Sequence, residues 1–178
     1  MENKVVHLSL CISKEYGLEK PVRIQQQAIP AFLKGKNLLI RSLSESERAL
    51  SYVIPALQMI EAQKAHSQSL ILACTRESVT QITNNFKSIA KYLEISIVTI
   101  FEEPLATETT DALKEKPQIL LGTPGGTLEV LKKGYFRPDN LRMVIIDEAD
   151  EIIRRGLRSQ LEDILQQIPK EAQVYLKA

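Results

Sequence analysis

The stretch Leu141-Arg142-Met143-Val144-Ile145-Ile146-Asp147-Glu148-Ala149-Asp150 passes from an apolar run straight into three carboxylates. A short run rich in Val and Ile, bounded by polar residues, reads as a buried strand. Its acids then fall at the strand's carboxyl end, the edge at which open α/β sheets place their ligand crevices. An Asp-Glu pair there suits a metal and phosphate site, the Asp holding Mg²⁺ through its water shell and the Glu orienting an attacking water. The same acids favour the positive end of a following helix, so the pair alone leaves both readings open.

Outward from this run, residues 37–41, 69–74, 94–101, 118–122 and 173–177 have the same strand character. The segments between them are long enough for crossover helices. Apolar residues recur at three- and four-residue spacing over 51–63, 77–92 and 157–168, as helices covering a sheet require. Strands alternating with helices predict an α/β fold, a parallel sheet with helices on both faces. With 178 residues, 44% of them hydrophobic, 25% charged and only 7 Gly, the chain suits one compact domain over 1–178. The last strand runs up to Ala178, so the domain reads as cut from a longer protein.

A formal net charge of +1 gives no overall basic field, so any nucleic-acid contact must come from a local patch. Cys11 and Cys74 lie far apart, with no Cys/His cluster and no metal-ligating spacing, and read as reduced, buried thiols. No apolar run approaches the ~18 residues of a membrane span, and the N-terminus lacks a basic-then-apolar signal pattern. A cytoplasmic or nuclear protein is expected.

Asp147-Glu148-Ala149-Asp150 spells the name motif of the DEAD-box RNA helicases, and other stretches resemble that family in order and spacing from about Tyr16 to Ala178. Tyr16-Gly17-Leu18-Glu19-Lys20-Pro21-Val22-Arg23-Ile24-Gln25-Gln26-Gln27-Ala28-Ile29-Pro30 is similar to the family's Q motif, particularly that of the initiation-factor-4A subfamily. Cys74-Thr75-Arg76-Glu77 resembles motif Ia, keeping its Thr-Arg-Glu core. Thr123-Pro124-Gly125-Gly126 resembles motif Ib, with Gly126 where the family has Arg, and Arg154-Arg155-Gly156-Leu157 resembles its Arg-Gly-Phe segment. Phe101-Glu102 stands where the family has a Gly-Gly pair.

The resemblance implies an N-terminal RecA-like domain of the P-loop NTPase type, with Asp147 and Glu148 as its catalytic Walker-B pair. It implies that Gln25 reads adenine, as an amide can by pairing with N6-H and N7 together. It further implies RNA contacts from Thr75, Arg76, Thr123 and Gly125. Read by themselves, Thr75 and Thr-Pro-Gly are equally good helix starts, and Gln25 sits equally well on a polar helix face.

The phosphate loop is where the chain departs from the family. After the first strand comes Ser42-Leu43-Ser44-Glu45-Ser46-Glu47-Arg48-Ala49, which aligned without gaps puts Glu45 and Glu47 on the family's glycines, Arg48 on its Lys and Ala49 on its Thr. Side chains at the glycine positions block close approach and any left-handed backbone. Each carboxylate facing a phosphate at ~4 Å costs on the order of 4 kcal/mol at an effective dielectric of about 20. Arg48 offsets part of this, but Arg and Lys are not equivalent there, and Ala49 removes the hydroxyl ligand of Mg²⁺. Ser44-x-x-Glu47 instead reads as a capping box that fills the helix start from within.

These residues predict a DEAD-box-helicase-like domain with lost or severely impaired ATP binding and hydrolysis, acting as an RNA-associated binding or scaffolding module. No cofactor is expected, and Asp147 is expected to pair with a hydroxyl or an arginine such as Arg48 rather than with a metal. Two alternatives remain. One is the first domain of an active ATP-dependent RNA helicase, which would use Mg-ATP. The other is a protein-interaction domain without RNA contact, favoured by Phe101-Glu102 and Gly126. The expected partners are single-stranded RNA, bound weakly, protein partners of an RNA-processing assembly, and a second RecA-like domain in the full-length chain.

Overall fold

The computed structural model describes residues 21–41, 45–101 and 105–178, together with their side chains except at 45–48 and 92. The chain alternates α1 (Arg23–Leu33), β1 (Leu38–Ile40), α2 (Glu45–Met59), β2 (Ser69–Leu72), α3 (Arg76–Ile89), β3 (Ile97–Ile100), α4 (Thr107–Lys114), β4 (Ile119–Gly122), α5 (Pro124–Lys132), β5 (Met143–Ile146), α6 (Ala149–Arg154), α7 (Arg158–Leu165) and β6 (Gln173–Lys177). All the predicted strands form, each within the bounds read from its apolar run.

Among the described residues the strands make one parallel sheet in the order β1-β6-β5-β2-β4-β3. Its central strands are buried along their whole length, which is why they read as unbroken apolar runs. Side chains alternate across the sheet with period two. Ile71, Leu121, Ile145 and Tyr175 face one layer, where α1, α2 and α3 contribute Phe32, Leu57 and Phe86. Leu70, Leu72, Leu120, Val144 and Ile146 face the other, against Val130 of α5, Ile152 of α6 and Ile164 of α7. At the tightest point Gly122 is required: an added Cβ would lie 2.6 Å from Thr127 Oγ1 and 3.0 Å from the carbonyl oxygen of Ile100.

Helix ends depart further from the periodicity. The helix expected over 51–63 runs over Glu45–Met59 with Pro55 inside it. Its exit is set by Gln68, whose side chain accepts from the Glu61 N–H at 2.9 Å and donates to the Glu61 carbonyl at 2.8 Å. Parallel pairing has one consequence for function. Every strand delivers its carboxyl end to the same edge, which gathers Thr75, Phe101, Thr123, Asp147 and Lys177.

Candidate functional site

Asp147 follows β5 and is 3% exposed. Its backbone N–H continues the sheet ladder to the Leu72 carbonyl at 2.8 Å. The Tyr52 hydroxyl, from the middle of α2, donates to Oδ2 at 2.7 Å. Oδ1 forms an ion pair with the ammonium of Lys177, itself 4% exposed. The partners expected for Asp147 were a hydroxyl or an arginine; the structure supplies a hydroxyl and a lysine.

The placement of this trio follows from register. Val144, Ile145 and Ile146 pair with Val174, Tyr175 and Leu176, so the next step sets Asp147 beside Lys177. Both lie two residues beyond Ile145 and Tyr175, and therefore on the same face as those residues and α2. Tyr52 packs edge-on against Tyr175 with ring centroids 5.4 Å apart, and Tyr175 shares a 2.7 Å hydrogen bond with Ser51. Burial, reinforced by the neighbouring Asp147 charge, pushes the Tyr52 phenol well above its ordinary value. Burial likewise pushes Tyr175 up to about 12, against the opposing effect of its bond with Ser51. Both phenols therefore stay protonated at physiological pH, and Tyr52 stays a donor.

Glu148 occupies the left-handed region at φ 55°, ψ 46°, uncommon for a residue with a side chain and typical of a constrained turn. This conformation turns the chain from β5 into α6. Ser78 Oγ donates to Glu148 Oε2 at 3.0 Å, and Thr75 Oγ1 donates to Ser78 Oγ at 3.0 Å while accepting from the Ser78 N–H at 3.1 Å. Thr75 thus caps α3 and, through Ser78, ties it to the acid after β5. Asp150 and Glu151 lie one turn on and pair with Arg154, and Glu151 also takes Arg155 Nε at 2.7 Å.

The other expected site residues divide. Thr123 is 5% exposed and caps α5, accepting from the Gly126 N–H at 3.3 Å, so its oxygen is used in the helix start. Gly125 lies in the first turn of α5. The Arg76 guanidinium stands over the Phe101 ring at 5.2 Å from its centroid, a cation–π pair. Gln25 is buried, and its Oε1 accepts from the Val22 N–H at 3.1 Å at the start of α1. Ser42, Leu43, Ser44, Cys11 and Tyr16 lie outside the described residues, as do the side chains of Glu45, Glu47 and Arg48. Cys74 is buried as expected, and burial raises its thiol pKa.

The sequence reading missed Tyr52, Ser78 and Lys177. Nothing local marks Tyr52 or Ser78, which are ordinary positions of amphipathic helices. Lys177 did carry a signal, since a lysine closing an otherwise apolar strand needs a buried partner.

The donor set can be tested against a magnesium nucleotide. Asp147 Oδ2 takes the Tyr52 hydroxyl and Oδ1 the Lys177 ammonium, and Ala49 is packed into the apolar layer at 8% exposure. The carboxylate of Asp147 thus faces a hydroxyl on one side and an ammonium on the other.

The parallel sheet with an acidic turn after β5 and Thr-capped helices at the same edge is an α/β domain whose fold is that of a RecA-like domain. Residues 22–177 match the family model for DEAD/DEAH box helicases, and the chain belongs to that family. It is 37% identical over 161 residues to the ATP-dependent RNA helicase eIF4A of Neosartorya fischeri, a match covering 90% of this chain and 40% of that protein. The Lodderomyces elongisporus protein of the same name is 36% identical over 90% of this chain and 41% of its own, and eukaryotic initiation factor 4A of Cryptosporidium parvum 36% over 90% and 40%. The chain thus spans 40–41% of the length of these curated relatives. Its fold matches a Saccharomyces cerevisiae Dbp5 variant bound to Nup159, Gle1, IP6 and ADP, with a TM-score of 0.86, 22% identity, and coverage of 97% of this chain and 45% of that one. No helix among the described residues is long and apolar enough to cross a membrane.

Proposed function

We propose that this chain is a helicase-type domain in which ATP binding and hydrolysis are lost or severely impaired, and which serves as an RNA-associated binding or scaffolding module. The observation that carries this reading is the internal commitment of Asp147. A carboxylate that is to hold a hydrated Mg²⁺ must face the phosphate crevice with its oxygens open. Here one oxygen takes the Tyr52 hydroxyl, the other a buried ammonium. Opening such a buried pair costs on the order of 3–5 kcal/mol before any metal is bound. The sequence of the phosphate loop argues the same way, with two acids on glycine positions and Ala49 in place of a metal-ligating hydroxyl. Glu148 is likewise held by Ser78 rather than left to orient water.

Titration calorimetry with Mg-ADP and Mg-ATP tests this. No heat of binding is expected at micromolar to submillimolar nucleotide, and micromolar affinity would overturn the reading.

Partners follow from the family. The relatives are named as RNA helicases, and the Dbp5 structure holds two protein partners. Single-stranded RNA, a second RecA-like domain and assembly proteins are therefore the candidates. A pure protein-interaction role has one observation in its favour, since the Thr75 hydroxyl donates to Ser78 Oγ as well as capping α3. Salt-dependent RNA binding separates the two.

A further inference from the structure

We infer that Lys177 is a built-in cation that takes over at Asp147 the charge-balancing part a divalent ion would have, making the acid edge of this domain independent of magnesium. The inference deepens the reading of Asp147 given above and rests on it. Its basis is geometric. The two side chains meet at adjacent strand ends, 3% and 4% exposed, on a face closed by Tyr52 and Tyr175. An ammonium so thoroughly withdrawn from water is tolerated only beside an anion, and the anion only beside a cation. Each therefore fixes the other.

The pair also accounts for the rest of the edge. Lys177 lines a cleft of about 450 Å³ with Thr75, Ser78, Glu148 and Arg155. With Asp147 neutralised from inside, the turn that carries Glu148 and its link through Ser78 to Thr75 needs no bound ion to hold its shape. A divalent cation could reach Asp147 Oδ1 only by displacing the Lys177 ammonium from this buried pair. The arrangement thus both replaces the ion and excludes it.

The test is a thermal-unfolding cycle on the 178-residue chain, read by circular dichroism in magnesium chloride and in EDTA at matched ionic strength. The unsubstituted chain should melt at the same temperature in both. Lys177→Met keeps the stem but strands a buried carboxylate, and its midpoint should fall by roughly 10 °C and recover in part with magnesium. Asp147→Asn combined with Lys177→Met removes both charges and should melt well above the sum of the single losses. An unchanged midpoint in Lys177→Met, additive losses in the double variant, or a magnesium-raised midpoint in the unsubstituted chain would overturn the inference. If Lys177→Met does not fold, the double variant decides: a cooperative transition supports the pair, and none refutes it. The nucleotide calorimetry reports separately. Nucleotide heat with a magnesium-insensitive midpoint would overturn the proposed function alone, and absent coupling without nucleotide heat the internal cation alone.

Discussion

The Tyr52 hydroxyl reaches Asp147 across 95 positions of sequence, and Ser78 reaches Glu148 across 70. Tyr52→Phe keeps the ring in its aromatic packing and leaves Asp147 Oδ2 without its donor. The expected loss is about 1.5–3 kcal/mol, the range for a buried hydrogen bond to a charged group, with an unchanged denaturant slope in urea unfolding. A loss below ~0.5 kcal/mol would show that Lys177 alone satisfies the carboxylate. The phenols also predict an alkaline limit. Tyr175 holds its proton up to about 12 in the folded chain, whereas an exposed phenol in the unfolded chain releases it from an ordinary value of 10.0. The unfolded state then binds fewer protons, so this contribution is complete below pH 10 and falls between 10 and about 12, by up to ~1.4 kcal/mol per pH unit. Tyr52, shifted the same way, adds to the slope. Tyr175→Phe should make the alkaline loss of stability shallower, as pH-dependent urea midpoints would record. At this scale the sequence was half legible. The two acids announced themselves after an apolar run, but their partners are distant in sequence, and only the fold brings them together.

The elements themselves were readable because a buried parallel strand needs a continuous apolar run and a covering helix needs a stripe. Their ends were less so. The exit of α2 is fixed by Gln68 across the turn, and the same region is held by Gln118, whose amide donates to the Ala62 and Lys64 carbonyls at 3.0 and 3.2 Å and accepts from the Ser96 N–H at 2.8 Å. Such clamps are tertiary, so periodicity overran the helix to residue 63. Gln118→Ala should cost about 2–3 kcal/mol by stranding a backbone donor and two acceptors near the amino ends of β3 and β4. Amide hydrogen exchange over residues 61–68 should quicken more than in β5. Uniform change across the sheet would instead mean that the amide supports global packing rather than this turn. Helix starts were more legible: Thr75 and Thr123 cap α3 and α5 as short polar residues before a helix do, the more local of the two readings open to them.

On the whole-molecule scale, a net charge of +1 leaves RNA affinity to whatever cations the carboxyl edge gathers. Two arginines meet there. Arg76 is braced on Phe101, and Arg155 lines a cavity of about 400 Å³ with Thr75, Arg76 and Thr123. Arg155 Nε is tied to Glu151, which fixes the guanidinium at the wall of that cavity. A single strand crossing the edge would meet both. Binding of a fluorescent single-stranded RNA, followed by anisotropy, should be weak and should fade linearly in log salt. Arg76→Ala and Arg155→Ala should each lower the slope by about 0.7, the share of one phosphate contact on a single strand. Because Asp147 is balanced from within, the affinity should be the same with magnesium, with EDTA and with added nucleotide. RNA binding strengthened by Mg-ATP would favour an active helicase domain. An absence of any salt-dependent signal would favour a domain that recognises protein alone, since an edge with two arginines and no response to phosphate has its cations committed to the fold.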